Sequence, residues 1–452
     1  MTALHRSREA PPVRMAHLGL GAFHRSHQAW WTGVVGRSDP WGIAAFTGRS
    51  ATAATALTAQ DGLYTLLVRG PESDQADVVP AISQAIDGAD TAALTGCLAT
   101  SDVRVLTLTV TEAGYCRTGD GRLDLGDPAV LADLAALTAD DGRPLRTAPA
   151  RVVAGLRARQ RADTGPIALV PCDNLSGNGE ALRQVVAELA GELDPRLAEW
   201  IAASVSFVST AVDRITPRST AEDLDTAARL TGRTDRAAVV AEPFREWVLA
   251  GAFPGGRPPW EEAGAQFVDD VTPYEHRKLW LLNGAHSILA YAGLLRGHRT
   301  VADAVADDTC RGWVREWWAE AARHLPQPAR TLAGYQDQLI DRFANPRIRH
   351  LLAQIASDGT QKLRMRAVPI LRRERAAGHR GEAALRMLAC WIAYLRTEPA
   401  DLADPWADRL RTTRRTEDLL ALVAPDLADD DALVADLDAL VSQQVAPHGK
   451  GK

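Results

Sequence analysis

"HLGLGAFHRSHQ", His17 to Gln28, follows a short apolar run and carries two glycines spaced as in the phosphate-binding turn of a dinucleotide fold. In the G-x-G-x-x-G pattern the first glycine makes the tight turn. The second lets backbone N–H groups approach a pyrophosphate, and the third allows close helix–strand packing. Gly19 and Gly21 fill the first two places, and His24 stands in the third. A lone G-x-G also fits an ordinary turn between strand and helix, with a surface histidine and arginine. Context favours the phosphate-binding reading: Val13 to Leu18 reads as a strand and Arg25 to Val35 as a helix, the order such a turn requires. A side chain at position 24 then implies a wider or shifted helix start.

Moving outward, the apolar run Trp41 to Phe46 ends in Thr47, Gly48, Arg49 and Ser50. An NAD-preferring fold usually places an acid at this strand end for the ribose 2′-hydroxyl; here there is none, and Arg49 and Ser50 would face a 2′-phosphate. NADP therefore stands beside NAD as the expected cofactor, the alternative being a solvated arginine. Further strands are expected at Tyr64 to Val68, Val103 to Val110, Ile167 to Val170 and Val205 to Thr210, separated by alanine- and leucine-rich helical stretches. Such alternation predicts an α/β unit, a Rossmann-type doubly wound parallel sheet with helices on both faces. After about Val271, β-branched runs give way to helical patterns rich in Trp, Leu, Ala and Arg. The loop-like GAFPGGRPPWEEAG, Gly251 to Gly264, lies just before this change. The expected division is a dinucleotide-binding domain over 1–270 and a mostly α-helical substrate and catalytic domain over 271–452. The closing HGKGK, His448 to Lys452, reads as a frayed end.

The chain has 452 residues, 46% hydrophobic and 24% charged, enough for two or three packed domains. A net charge of −6 offers no general attraction for nucleic acid or an anionic membrane. Its five cysteines are widely spaced, with no C-x-x-C pair or zinc-like Cys/His cluster, which suits a reducing cytoplasm. The opening MTALHRSREAPPVR lacks the apolar core of a signal peptide. Leu279 to Leu295, the most apolar segment, contains Asn283, His286 and Ser287 and reads as a helix buried in protein rather than in lipid.

"YEHRKLWLLNGAH", Tyr274 to His286, is the stretch richest in chemistry. On a regular α-helix Lys278, Asn283 and His286 fall at about 0°, 140° and 80°, one broad side. A lysine, about 10.4 in water, whose pKa is lowered by burial can accept a hydroxyl proton, while amide and imidazole donors hold the oxygen. Glu275 stands an i,i+3 neighbour of Lys278, able to pair with it or pass its proton on. An amphipathic helix with satisfied polar groups is the competing reading. "LVPCDNLSGNG", Leu169 to Gly179, offers Asn174 and Asn178 at a strand end, where open α/β sheets place their sites. "FVSTAVDRITP", Phe207 to Pro217, presents Asp213 and Arg214, which also fit a helix cap or a structural ion pair.

Together HLGLGAFHRSHQ, WGIAAFTGRS, AQDGLYTL, TVTEAGY, VPCDNLSGNG, FVSTAVDRITP, YEHRKLWLLNGAHS and SDGTQKL resemble the mannitol dehydrogenase family of long-chain polyol dehydrogenases, which includes fructuronate and tagaturonate reductases. That family carries a G-x-G-x-F-H-R-x-H-Q turn, so the resemblance makes His24 part of a variant turn. It implies metal-independent hydride transfer with Lys278 as general base, Asn174 and Asn283 polarising the reacting oxygen, and His286 aiding substrate binding. Gly19, Gly21, Phe23, His24, Arg49, Ser50, Thr111 and Glu112 would bind the cofactor. Asp213, Gln354 and Lys362 would contact a small-molecule polyol, keto-sugar or uronate. Metal binding by His24 and His27 is disfavoured, since two ligands without nearby Cys or acid are too few. Gln354 and Lys362 resemble the uronate-processing branch, where Lys362 with Arg364 or Arg366 would bind a carboxylate. Arg364, where relatives have proline, departs from the pattern and leaves both an open-chain polyol and an aldonate as substrates. The rival from another class is a non-catalytic dinucleotide- or sugar-binding sensor on the same fold.

Overall fold

The computed structural model describes residues 2–445, and the HGKGK tail lies outside the described residues. The chain forms two compact units, Met1–Thr272 and Pro273–Lys452.

The first unit is built on six parallel strands: β1 (Val13–Leu18), β2 (Gly42–Phe46), β3 (Ile82–Ile86), β4 (Val105–Leu108), β5 (Ile167–Pro171) and β6 (Val205–Phe207). Their spatial order is β3-β2-β1-β4-β5-β6. This is the doubly wound order, with its reversal between β1 and β4, where such sheets open a crevice beyond the strand ends. The alternation of side chains across each strand divides the core. Ala16, Leu18, Ala44, Phe46 and Leu106 pack on one face, and Met15, Ile43, Ala45 and Val105 on the other. Burial on both faces explains why these strands are nearly unbroken apolar runs.

Several elements differ from the sequence expectation. Ile82–Ile86 escapes notice because ISQAI is an edge strand with only Ile82 fully buried, so its pattern is diluted by polar residues. Tyr64–Arg69 is a strand outside the main sheet, antiparallel to Asp74–Val79 and parallel to Val239–Ala241. The run expected as one strand over Val205 to Thr210 splits: Ser209–Asp213 leaves the sheet and pairs antiparallel with Glu246–Ala250. The single helix expected over Arg25 to Val35 is two, α1 (Ala22–Ser26) and α2 (Gln28–Val34), broken at His27, whose ψ of −94° is not helical.

The second unit is mostly helical. Its central helix runs from Thr272 through Leu295 and packs against Asp308–Ala322 and Glu382–Arg396, which bury the apolar Leu279–Leu295 segment in protein. Among the described residues no helix is long and apolar enough to cross a membrane, and all five cysteines are free thiols.

Candidate active site

The glycine turn lies at the carboxyl end of β1. Gly19 adopts φ +106°, and a Cβ there would stand 2.3 Å from the Thr109 carbonyl oxygen, so only glycine fits. Gly19 and Leu20 N–H both bond the Phe46 carbonyl at 2.9 Å, which ties the turn to the end of β2. Gly21 is extended and has room: its Cβ would meet nothing nearer than the Gly19 oxygen at 3.5 Å. Two cavities, about 490 and 450 Å³, open beside this edge and share Gly48 and Arg49. Gly19, Thr109 and Thr111 border the first, and Ser50 and Arg236 the second. Arg49 is exposed and forms no ion pair among the described residues. The glycine-only turn and the adjoining cavities at the sheet's reversal fit a dinucleotide.

Other residues of the turn point elsewhere. The His24 ring is fully buried and stacks on His17 at 3.4 Å, so its side chain lines neither cavity. His17 bonds Thr107 Oγ1 at 2.8 Å and Thr109 Oγ1 at 3.1 Å, and Thr109 Oγ1 donates to the Gly19 carbonyl. The histidine pair thus fills the place behind the turn that a third glycine would leave to tight packing. Burial lowers His17 to about 3 and holds His24 well below the usual histidine range, so both stay neutral. Phe23 is half-buried and stacks on His27 at 5.0 Å. His27 is engaged with the Glu246 carbonyl and Gln28, and the break at its own position removes it from the helix of His24. Glu112 is exposed, opens the short turn Glu112–Tyr115, and borders neither cavity.

At the end of β5, the two asparagines separate by role. Asn178 is fully buried and closes a reciprocal pair with Thr210, donating to its carbonyl at 3.1 Å and accepting from its N–H at 2.9 Å. Asn174 is exposed within the same loop. Beside it the Asp173 carboxylate accepts the Tyr115 hydroxyl and the Leu175 N–H. Burial raises Asp173 to about 6 against these hydrogen bonds. The sequence reading passed over Asp173 and Tyr115, although both sit in motifs it singled out. Asp213 is buried at the end of its strand, whereas Arg214 turns to the carbonyls of Ser26 and Glu242.

In the second unit the chemistry-bearing helix is not a regular α-helix. Lys278–Asn283 is π-helical, between α-helical Thr272–Arg277 and Gly284–Leu295. An i→i+5 turn sets positions five apart one above the other, so Lys278 and Asn283 come closer to one side than the regular wheel placed them. Both are half-buried, as is Glu275 one turn earlier, while His286 is 8% exposed. The His286 Nε2 is buried without a hydrogen-bond partner. Burial, then the charges of His350, Arg366, Arg342 and Lys362, hold its pKa well below the ordinary value.

Gln354 is exposed at the start of the segment that carries Lys362. The Lys362 Nζ donates to the Ile355 carbonyl at 3.0 Å. Arg364 and Arg366 diverge: Arg364 donates to the Leu422 carbonyl and lies over Trp406, whereas Arg366 Nη1 reaches the Asn283 carbonyl at 3.0 Å and Ser287 Oγ at 2.9 Å. One further cluster, His298, Asp307 and Cys310, gathers potential metal donors. Its carboxylate is already taken by Arg296, His298 and the N-cap of Asp308–Ala322, and a guanidinium in the group opposes a cation.

Two family models cover the chain: the mannitol dehydrogenase Rossmann domain matches residues 13–262, and the mannitol dehydrogenase C-terminal domain matches residues 270–444. The chain is 38% identical over 393 residues to D-mannonate oxidoreductase of Escherichia coli (strain K12), covering 84% of this chain and 79% of that protein. It is 34% identical over 452 residues to mannitol 2-dehydrogenase of Cereibacter sphaeroides, covering 96% and 94% of the two chains. Among solved structures, Pseudomonas fluorescens mannitol 2-dehydrogenase in a ternary complex with NAD and D-mannitol matches with a TM-score of 0.80 and 32% identity, over 96% of this chain and 92% of that one. With both units matched in order, this chain belongs to the mannitol dehydrogenase family.

Proposed function

We propose that this protein catalyses the NAD(P)-dependent interconversion of a sugar alcohol or aldonate with its ketose or keto-uronate. In this reading residues 1–270 bind the dinucleotide and contribute Asn174 and Asp213, and residues 271–452, the substrate and catalytic domain, supply the remaining groups. The observation that carries it is the π turn over Lys278–Asn283, followed without a break by the helix of His286, which supports a shared role for these three residues. The names of the relatives, a mannonate oxidoreductase and mannitol dehydrogenases, support the substrate class.

A nicotinamide dinucleotide held at the Gly19 and Gly21 turn would supply the hydride acceptor for the alcohol carbon. Lys278 takes the hydroxyl proton from the same carbinol, and Glu275, one turn away, relays it. Asn174 and Asn283 donate amide N–H groups to the oxygen as charge develops on it. His286, neutral, contributes to substrate binding, with Asp213, Gln354 and Lys362 contacting the remaining oxygens. Gly19, Gly21, Phe23, His24, Arg49, Ser50, Thr111 and Glu112 form the proposed cofactor set. His24 and Phe23 act in it by shaping the turn from behind.

Lys278→Ala should lower kcat by roughly 10²- to 10⁴-fold, the usual worth of a general base, with the dissociation constant for the dinucleotide little changed. An unchanged kcat would remove Lys278 from the mechanism. Oxidation of NADH and NADPH measured with fructose, fructuronate and tagaturonate tests the activity itself. Silence across a broad polyol and keto-sugar panel, with tight dinucleotide binding, would favour the sensor.

A further inference from the structure

The loop that carries Asn174 leaves the sheet beside the chain that borders the larger of the two cavities. Strands β4 and β5 are parallel neighbours, and their ladder closes where the Cys172 N–H donates to the Leu108 carbonyl at 2.8 Å. Beyond that point the chain after β4 borders the cavity of about 490 Å³ with Thr111, Ala113 and Gly114 and reaches Tyr115, while the chain after β5 passes through Asp173 and Asn174. With no ladder to keep these two loops in register, side chains have to do so. The Asp173 carboxylate is one such link: Oδ2 accepts the Tyr115 hydroxyl, and Oδ1 accepts the Leu175 N–H at 3.0 Å.

The bond from residue 175 back to residue 173 closes an Asx turn whose central residue is Asn174, and so restrains the backbone from which the exposed Asn174 projects. The bond from Tyr115 ties that turn to a rigid support, since Tyr115 is 1% exposed and packs in one core with Leu108 and Leu182. The loop is pinned on either side as well, by Cys172 on β4 and by the reciprocal pair of Asn178 with Thr210. A buried hydroxyl alone needs only a neutral acceptor, whereas two donors arriving on separate oxygens call for a carboxylate. Burying that carboxylate is unfavourable, as its rise to about 6 shows.

We propose that Asp173 is the positioning residue of Asn174: anchored by Tyr115, it fixes the turn from which the Asn174 amide meets the charge developing on the reacting oxygen. This rests on the dehydrogenase reading above, and Asp173 and Tyr115 act in it through Asn174. An amide donor stabilises a developing charge most when it is already aimed at the oxygen, because no reorientation is then left for the moment of reaction. Without the carboxylate the turn loosens, and the amide has to be reoriented in each turnover.

The test is a double-mutant cycle in keto-sugar reduction, with D-fructuronate and D-fructose as probes and the dinucleotide at saturation. Asn174→Ala should lower kcat by roughly 10²- to 10³-fold, as loss of an oxyanion donor does. Asp173→Ala should lower kcat by roughly 10- to 100-fold, the effect of a small misplacement, with KM and the dissociation constant for the dinucleotide little changed. Added to Asn174→Ala, Asp173→Ala should have no further effect, because it works through the amide already removed. Asp173→Asn should recover part of kcat, its amide oxygen accepting the Leu175 N–H and its NH₂ donating to the Tyr115 oxygen. Effects that multiply in the double variant, an unchanged kcat in either single alanine variant, or a dinucleotide affinity that falls in step with kcat would overturn the proposal. If Asp173→Ala does not fold, Tyr115→Phe takes its place in the cycle, with the same non-additivity expected. If wild type reduces no keto-sugar, the dehydrogenase reading fails, and amide hydrogen exchange of the dinucleotide-bound protein decides the anchor. Faster exchange of the Leu175 N–H in Tyr115→Phe upholds it, and unchanged exchange refutes it.

Discussion

The indole Nε1 of Trp317 donates to the main-chain carbonyl of Trp280 at 2.6 Å, inside the π turn that carries Lys278 and Asn283. Trp318 donates likewise to the Leu281 carbonyl at 2.8 Å, and Arg366 to that of Asn283. Close approach of Trp317 requires a glycine at 284, where a Cβ would lie 2.4 Å from the indole nitrogen. Side chains from the helix Asp308–Ala322 and from the turn at Arg366 thus supply donors to an unusual turn that backbone preference alone would not select.

Trp317→Phe keeps the aromatic bulk and removes the donor. It should destabilise the protein by about 1–3 kcal/mol, the cost of leaving a buried carbonyl without this partner. In the mechanism above it should also lower kcat more than it raises KM, because Lys278 and Asn283 lose their alignment. Urea denaturation and steady-state kinetics check both; an unaltered denaturation midpoint would show that the indole bond does not hold the turn.

Gly19→Ala and Gly21→Ala should separate folding from cofactor binding. At Gly19 a Cβ clashes with the Thr109 carbonyl at positive φ, so the variant should lose stability and dinucleotide affinity together. At Gly21 the Cβ has room, so the melting temperature should hold while affinity drops if backbone N–H groups there approach the pyrophosphate. NADH fluorescence titration with thermal melting distinguishes the cases.

Arg49→Ala should weaken NADP binding by roughly 10- to 100-fold relative to NAD, since the guanidinium borders both cavities and is free to meet a 2′-phosphate. Equilibrium titration with each dinucleotide measures the ratio. If the ratio is unmoved, Arg49 is a solvated surface residue.

Acid should destabilise the sheet unit through His17. Its folded pKa of about 3 lies below the ordinary 6.5, so between these values the unfolded chain binds a proton that the folded chain refuses. Stability is complete above about 6.5 and is lost as pH falls toward 3. His24, held neutral by the same burial, adds in the same direction. Asp173 acts oppositely: raised from 3.8 to about 6, it makes stability decline as pH climbs through that window. Asp173→Asn should therefore steepen the acid loss, and urea denaturation at a series of pH values would reveal the slope.

The parallel strands at Val13–Leu18, Gly42–Phe46 and Ile167–Pro171 were readable because burial on both faces writes an apolar run into the chain. The glycine turn was readable because Gly19 answers a backbone requirement within a few residues. Ile82–Ile86 was not, since an edge strand needs fewer apolar side chains. Nor was the inward turn of His24, which depends on His17 and, through it, on Thr107 and Thr109 from the neighbouring strand.

The sequence by itself determined the buried central strands, the glycine turn and the change from a sheet unit to a helical one, because those follow from local patterns of polarity and backbone freedom. Only the tertiary structure decided that KLWLLN winds as a π turn, that Asn178 is spent on Thr210, and that Arg366 rather than Arg364 turns toward His286. Each of those outcomes depends on a hydrogen-bond partner far away along the chain, and a local pattern holds no record of which distant group will arrive to complete the bond.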